Sequence, residues 1–422
     1  MHTLYRALLI LLSPLLALHV ALRLIKGKED KTRFGERLGN ASLPRPPGPL
    51  VWLHGASVGE VTSLLPVLQA LRENKPDINL LLTTGTRTGF ATLHRLQPHI
   101  GGSGETLIQY VPLDIPFAVK RFMSHWKPSL SVFTESDFWP ILLTHAPNPI
   151  LLNGRISDRS WPRYQRFHRF FTPLISRFKL VLAQREEDAL RLSAMGASNV
   201  IVGGNLKFDA APLPADDAAL EKLQATLGRR PLLVAASTHQ GEEEIIAGLH
   251  NKLKAHVADL LTVIVPRHPH RGTQAVGAAM RHVRAVARRG TGETPHLGGP
   301  KHTDIYIADT LGELGLWYRL ADVALIGGTL VKVGGHNPLE PLKLGTPTVT
   351  GPHMFNFKDM TPLLIEKKLI TLTHTDAELA TAILNLLQNP SEAIKQRTHI
   401  ASSMPKLTGT AGKAARHILD LL

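Results

Sequence analysis

Short apolar runs recur along this chain and alternate with segments whose apolar residues fall at helical spacing, the order that predicts parallel sheets in an α/β protein. In the first half the predicted strands are residues 50–53, 79–83, 130–134, 150–152, 180–183 and 200–202. Residues 209–217 then read Asp-Ala-Ala-Pro-Leu-Pro-Ala-Asp-Asp, a polar, proline-bearing stretch suited to an interdomain linker. A second alternating set follows at 232–236, 261–265, 305–307, 323–326, 346–350 and 369–372. The helical C-terminus, 391–422, either packs on the second domain or crosses back to the first. There is no repeat of solenoid type.

Length supports this division. At 422 residues, 43% of them hydrophobic, the chain can build two cores of roughly 150–200 residues each. Lys and Arg total 48 against 34 Asp and Glu, a net charge of +14, which favours an anionic partner such as a membrane, a nucleic acid or a charged substrate. Absence of cysteine excludes a disulfide framework, a zinc ribbon and a thiol nucleophile.

Between Arg6 and Arg23 lie sixteen uncharged residues, mostly Leu, Ile and Ala. A straight helix of that length reaches about 24 Å, short of the roughly 30 Å of bilayer hydrocarbon, and Pro14 and His19 interrupt it. No small-residue cleavage site precedes the basic stretch Arg23, Lys26, Lys28, Lys31, Arg33, which argues against a removed signal peptide. Residues 1–28 therefore read as a retained membrane anchor whose basic flank stays on the cytoplasmic side against anionic head groups. An apolar helix packed on the domain is the alternative.

Candidate chemistry gathers where predicted strands end, since ligands of open parallel sheets bind beyond the carboxyl ends of the strands. The run Val323-Ala324-Leu325-Ile326 breaks into Gly327-Gly328-Thr329 and then Gly334-Gly335-His336-Asn337-Pro338-Leu339-Glu340-Pro341, a pattern suited to bringing backbone N–H groups against a phosphate. Neither dinucleotide nor P-loop spacing can be written over it. The first domain offers His54-Gly55-Ala56-Ser57-Val58-Gly59-Glu60, where Glu60 stands as a candidate general base; Ser57-x-x-Glu60 is equally a capping box. Thr134-Glu135-Ser136-Asp137-Phe138-Trp139-Pro140 adds Glu135 as a site acid, with Asp137 read as a loop or helix-terminal charge. Pro266-Arg267-His268-Pro269-His270-Arg271 is a cationic turn suited to an anionic leaving group, or a solvated basic loop.

From Arg155 to Lys179, Arg159, Arg163, Arg166, Arg169 and Arg177 interleave with Trp161, Tyr164, Phe167, Phe170, Phe171 and Phe178. Charges beside large rings suit a phosphorylated lipid at a membrane surface, or a core-packed amphipathic helix with solvated arginines.

In this order the motifs resemble those of the 3-deoxy-D-manno-oct-2-ulosonic acid (Kdo) transferases of lipopolysaccharide assembly, almost end to end. The likeness extends to Asn153-Gly154-Arg155-Ile156-Ser157, Gly204-Asn205-Leu206-Lys207-Phe208-Asp209, Ala236-Ser237-Thr238-His239-Gln240-Gly241-Glu242-Glu243, Asp309-Thr310-Leu311-Gly312-Glu313-Leu314 and Gly351-Pro352-His353-Met354-Phe355-Asn356-Phe357. Gly154 and Phe138 depart from the family pattern, where alanine and an aliphatic residue are usual.

The resemblance implies an α/β GT-B glycosyltransferase with two Rossmann-like domains facing a cleft. Acceptor binding would fall to 29–208 and donor binding to 218–390. The implied reaction is inverting transfer of Kdo from CMP-Kdo to a lipid A precursor (lipid IVA), with no metal or cofactor, at the cytoplasmic face of the bacterial inner membrane. Glu60 would be the catalytic base, supported on the acceptor side by Ser57, Gly59, Glu135, Arg155, Arg163 and Arg166. Arg267, His268, Thr310, Gly312, Glu313, Gly334, Gly335, Asn337 and Glu340 would bind the donor. A GT-B enzyme using a UDP-sugar is the nearest alternative. A nucleic-acid-binding protein lacks support: aromatic residues are 5% of the chain and no such motif is present.

Overall fold

The computed structural model describes residues 22–25, 27, 29–299 and 302–422. It divides into two compact units, one comprising the residues up to Ala210 together with Leu407–Leu422, the other Ala211–Lys406. The anchor expected over 1–28 lies almost wholly outside the described residues. Among those described, no helix is long and apolar enough to cross a membrane.

The first unit is built on seven strands: β1 (Leu50–His54), β2 (Asn79–Thr84), β3 (Thr106–Tyr110), β4 (Leu130–Thr134), β5 (Pro149–Gly154), β6 (Leu180–Ala183) and β7 (Val200–Val202). Their order is β3-β2-β1-β4-β5-β6-β7, all neighbours parallel. Both faces are covered, which is why the strands read as continuous apolar runs. Along β1, Leu50 and Trp52 enter one core with Phe122, Trp126 and Phe133, while Val51 and Leu53 enter the other with Leu64 and Leu68. Each fully buried leucine or valine contributes roughly 1.5–3 kcal/mol.

The C-terminal segment closes the second of these cores. In the helix Thr410–Asp420 the buried positions Ala411, Ala414, Ala415 and Ile418 fall at helical spacing, and they pack beside the helix Val58–Asn74. Asp209 holds its start, its carboxylate accepting the N–H groups of Gly409 and Ala411 at 2.5 and 2.7 Å. Of the two placements left open for this segment, its last turns take the return to the first unit.

The second unit repeats the design with β8 (Leu232–Thr238), β9 (Leu261–Pro266), β10 (Val286–Arg288), β11 (Ile305–Ile307), β12 (Val323–Ile326), β13 (Thr348–Thr350) and β14 (Ile370–Leu372). The order is β10-β11-β9-β8-β12-β13-β14, again all parallel. In each sheet one neighbouring pair, β1/β4 and β8/β12, marks the point where the strand order reverses, the position at which such sheets bind ligands. Strands β3 and β10 were absent from the predicted set. Both are edge strands; Gln109 interrupts the apolar run of β3, and β10 is only Val-Ala-Arg.

Candidate functional site

At the β1/β4 reversal of the first unit, the chain leaves β1 through Gly55 and Ala56 and enters the helix Val58–Asn74 with Ser57 at its N-cap. Ser57 Oγ accepts from Glu60 N at 3.4 Å and donates to Glu60 Oε1 at 2.7 Å. Glu60 Oε2 accepts from Ala56 N at 2.9 Å and lies 3.0 Å from Thr134 Oγ1. The capping geometry and the candidate base thus coexist, the carboxylate reaching Ala56 N–H rather than that of Ser57. Burial raises the Glu60 carboxyl above its ordinary value, the charge of Asp137 pushes the same way, and the Ser57 and Ala56 hydrogen bonds oppose it. Gly59 is exposed, and a Cβ there would meet only Ser57 Oγ at 3.9 Å.

Glu135 follows β4 with φ +55, a left-handed conformation costing roughly 1–2 kcal/mol in a non-glycine residue. Its carboxylate pairs with Lys207 at 3.2 Å, and its carbonyl accepts from Arg155 N at 3.4 Å. These contacts bring the Glu135, Arg155 and Lys207 stretches together. Asp137 is neither a free loop acid nor a helix cap: Oδ2 lies 3.2 Å from Nε2 of the buried His54, and Oδ1 accepts from Trp139 Nε1 at 3.1 Å. Phe138 packs edge-on against Tyr164 and Phe178, at 5.8 and 6.0 Å between ring centroids, which seats the large ring where the family usually has an aliphatic residue.

The Tyr164 contact ties this loop to the basic segment, which forms two short helices, Trp161–Arg166 and His168–Ile175. Tyr164 and Phe178 are buried, Phe167 is 50% exposed, and Arg159, Arg163, Arg166, Arg169 and Arg177 are exposed. Some rings are core and the charges stand in solvent, as the packed-helix reading expects.

In the second unit the glycine turn after β12 differs from expectation. The N–H groups of Gly328, Thr329 and Leu330 do not await a phosphate; they donate to the buried carboxylate of Glu242 at 2.6, 3.0 and 2.9 Å, and His239 N joins them at 2.9 Å. Glu242 itself occupies the nest of backbone donors that the glycines build. The N–H groups of Gly334 and Gly335 are likewise committed, both to Gly328 O, at 3.1 and 2.8 Å. Their glycines answer to space and conformation. At Gly335, with φ +78, a Cβ would stand 2.6 Å from the Met354 sulfur, and at Gly327 it would stand 2.4 Å from Ser237 O.

Side chains remain available around that turn. His239 Nε2 and His336 Nε2 lie 2.8 Å apart, and His268 sits edge-on to His239 at 6.2 Å. Arg267 is exposed, its N–H bound to Thr238 O at 3.0 Å. Burial pushes His336 down to about 4, the charges of His239, Arg267 and His268 adding to the effect, so both its ring and its surroundings favour the neutral imidazole. Burial pushes Glu340 up to about 6, opposed by its hydrogen bond from Asn337 and the charge of Arg267. Arg267, His268, Asn337 and Glu340 therefore share one neighbourhood with His239 and His336.

Thr310, Gly312 and Glu313 follow β11 instead. Glu313 is held by Arg289 through two contacts of 2.5 Å and by the Thr310 hydroxyl, so its carboxylate faces a protein partner. That ion pair lowers the Glu313 carboxyl. Among the described residues, no group of three or more His, Cys, Asp or Glu could hold a metal ion.

The residues that motif reading left without a role are His54, Asp137, Thr134, Lys207, His239, Glu242, Arg289 and His336. Each acts through a partner distant in sequence, except that Thr134 and Asp137 sit in the same strand-end loop as Glu135.

A family model described as 3-deoxy-D-manno-octulosonic-acid transferase (kdotransferase) matches residues 32–210. The 3-deoxy-D-manno-octulosonic acid transferase of Haemophilus influenzae is 33% identical over 99% of this chain and 97% of its own length. That of Bordetella pertussis is 34% identical over 92% of this chain and 90% of its own. Among solved structures, UDP-GlcNAc 2-epimerase from Neisseria meningitidis aligns with a TM-score of 0.56 over 89% of this chain and 99% of that one, at 12% identity, a likeness of fold alone. With near-complete coverage at this identity and two parallel Rossmann-like sheets of the GT-B kind, the chain belongs to the 3-deoxy-D-manno-octulosonic acid (Kdo) transferase family of glycosyltransferases.

Proposed function

We propose that this transferase moves Kdo from CMP-Kdo to a hydroxyl of a lipid A precursor, lipid IVA, in lipopolysaccharide core assembly, with inversion at the anomeric carbon and without a metal. The observation that carries the reading is the Glu60 carboxylate at the β1/β4 reversal, held by Ser57, Ala56 and Thr134, with its carboxyl raised above the ordinary value by burial. A carboxyl raised in this way binds a proton more readily than an ordinary carboxylate and so serves better as a general base. Glu60 takes the proton as the acceptor oxygen attacks the anomeric carbon; the bond from that carbon to the CMP phosphate oxygen breaks, and CMP departs with the electron pair. One carboxylate suffices for such a single displacement, whereas retention by double displacement requires a second as nucleophile.

The first unit would hold the acceptor. Exposed Arg163, Arg166 and Arg169 beside Phe167 suit lipid phosphates and acyl chains at an anionic membrane surface, on the cytoplasmic face of the inner membrane where the N-terminal segment would anchor the chain. The second unit would hold the donor. Because the glycine-turn N–H groups are already engaged, phosphate charge falls to the Arg267 guanidinium and the imidazoles beside it, with Asn337 and Glu340 taking ribose or Kdo hydroxyls.

Mass spectrometry of lipid products after incubation with CMP-Kdo and lipid IVA tests the reading, with CMP and UDP compared as competitors. Kdo-modified lipid and competition by CMP are expected. Near-normal turnover by a folded Glu60→Gln variant would remove Glu60 as the base.

A further inference from the structure

Arg191 lies on the helix Glu186–Ala194, and the mechanism above gives it no task. Its pairing with Glu187, four residues back on the same helix, is of the ordinary solvated kind and contributes little. The rest of its contacts reach much farther, and its side chain is only 12% exposed. Nη1 donates to Ile156 O at 2.6 Å, 35 positions away, and Nη2 to Asp158 Oδ1 at 2.6 Å, 33 positions away. The guanidinium carbon stands 5.8 Å from the centroid of the Trp161 ring. Asp188, from the same helix and 0% exposed, completes the grip: Oδ1 accepts from Ile156 N at 3.0 Å and Oδ2 from Arg185 Nε at 3.0 Å. One helix thus holds both the N–H and the carbonyl of Ile156. On the other side of Arg155, its own N–H donates to Glu135 O at 3.4 Å, and Gly154 O accepts from Gln184 N at 3.0 Å. The planar peptide units before and after Arg155 are both fixed, so the direction in which its side chain leaves the backbone is fixed too.

We propose that Arg191, together with Asp188, is a positioning residue that sets Arg155 to receive a phosphate-bearing lipid acceptor. This rests on the reading of the first unit, and of Arg155 in it, as the acceptor side. The residue type follows from the work. A guanidinium carries donors on both terminal nitrogens in a rigid plane, so one group spans a backbone carbonyl and a carboxylate while its face meets an aromatic ring. An ammonium is a single point charge and cannot span the same partners. With lysine at 191, the Ile156 carbonyl or the Asp158 carboxylate loses its donor, and the peptide unit after Ile156 is released.

The test compares wild type, Arg191→Lys, Arg155→Gln and the double variant in the full chain, by initial rates with lipid IVA and CMP-Kdo and by hydrogen–deuterium exchange. Arg191→Lys should raise KM for lipid IVA roughly three- to tenfold and leave KM for CMP-Kdo in place. A merely structural role would not move that constant, since an unfolded fraction lowers kcat alone. Exchange over 155–161 should quicken in the same variant. On the Arg155→Gln background, Arg191→Lys should add little, because both changes remove one contact. An unchanged KM for lipid IVA in Arg191→Lys, while Arg155→Gln raises it, would overturn the proposal, as would independent losses in the double variant. Should Arg155→Gln itself leave the acceptor KM unchanged, the acceptor reading of Arg155 falls instead. Exchange then decides the grip by itself: faster exchange over 155–161 supports it, and unchanged exchange overturns it.

Discussion

Gly328 donates its backbone N–H to the Glu242 carboxylate at 2.6 Å, although the two residues lie 86 positions apart. The next two N–H groups and that of His239 go to the same carboxylate. A site built to hold an anion is thus filled by the chain's own anion, and Glu242 pins the end of β12 to the loop after β8. Truncation by Glu242→Ala would leave four backbone donors without their acceptor, at roughly 1–3 kcal/mol for each that stays buried. A loss of several kcal/mol is expected in thermal or denaturant unfolding of the second unit, and Glu242→Gln, which keeps one acceptor oxygen, should lose less. An unchanged unfolding curve for the alanine variant would mean that water replaces the carboxylate.

Ser57 acts on Glu60 in one direction. Its hydroxyl hydrogen bond favours the carboxylate and opposes the effect of burial. Ser57→Ala should raise the Glu60 carboxyl further, so the acid limb of kcat/KM should move to higher pH. The helix N-cap is lost as well, at about 1 kcal/mol of stability. A stability change with a stationary limb would make Ser57 a cap and nothing more.

Glu340 couples the proposed donor neighbourhood to pH through stability. Its folded-state value is raised from 4.5 to about 6 by burial. A raised carboxyl binds its proton more tightly when folded, so its contribution is fully present below pH 4.5 and is lost as pH rises through about 6. At pH 7.5 wild type therefore carries a cost of about 1–2 kcal/mol that Glu340→Gln should relieve. The variant should melt higher than wild type at pH 7.5, with the difference closing at pH 4.5. Equal differences at both pH values would assign the effect to packing.

Arg163, Arg166 and Arg169 stand exposed on the two helices that continue from the Phe138–Tyr164 contact. Replacing all three with glutamine should raise KM for the lipid acceptor roughly tenfold or more, since each removes a charge-assisted contact to phosphate. CMP-Kdo binding, proposed for the second unit, should be unchanged. Parallel losses on both substrates would refute an acceptor role.

The strands that sit inside the sheets were legible because burial on both faces leaves an unbroken apolar run, as in β6 and β12. Edge strands β3 and β10 lacked that signal. Glu60 was legible for a local reason too: its cap partner lies three residues away, and its strand ends just before it. What local pattern does not carry is pairing over distance. His54 meets Asp137, Glu135 meets Lys207, and Glu242 meets Gly328 only after the sheets bring strand ends side by side. The glycines after β12 illustrate the limit: their spacing signals an anion, but whether that anion is a ligand or a side chain depends on a residue of another loop.

The return of the helix Thr410–Asp420 to the first unit sets an order of events during synthesis. Asp209 waits for Gly409, two hundred positions later, and Ala414 and Ile418 are the last residues to reach the core behind the Glu60 helix. At about 5–20 residues per second that delay is on the order of 10–40 s. Residues 211–406 can complete their own sheet within it, so the half of the enzyme proposed to hold the donor is made ready while the half bearing the proposed base is still unfinished.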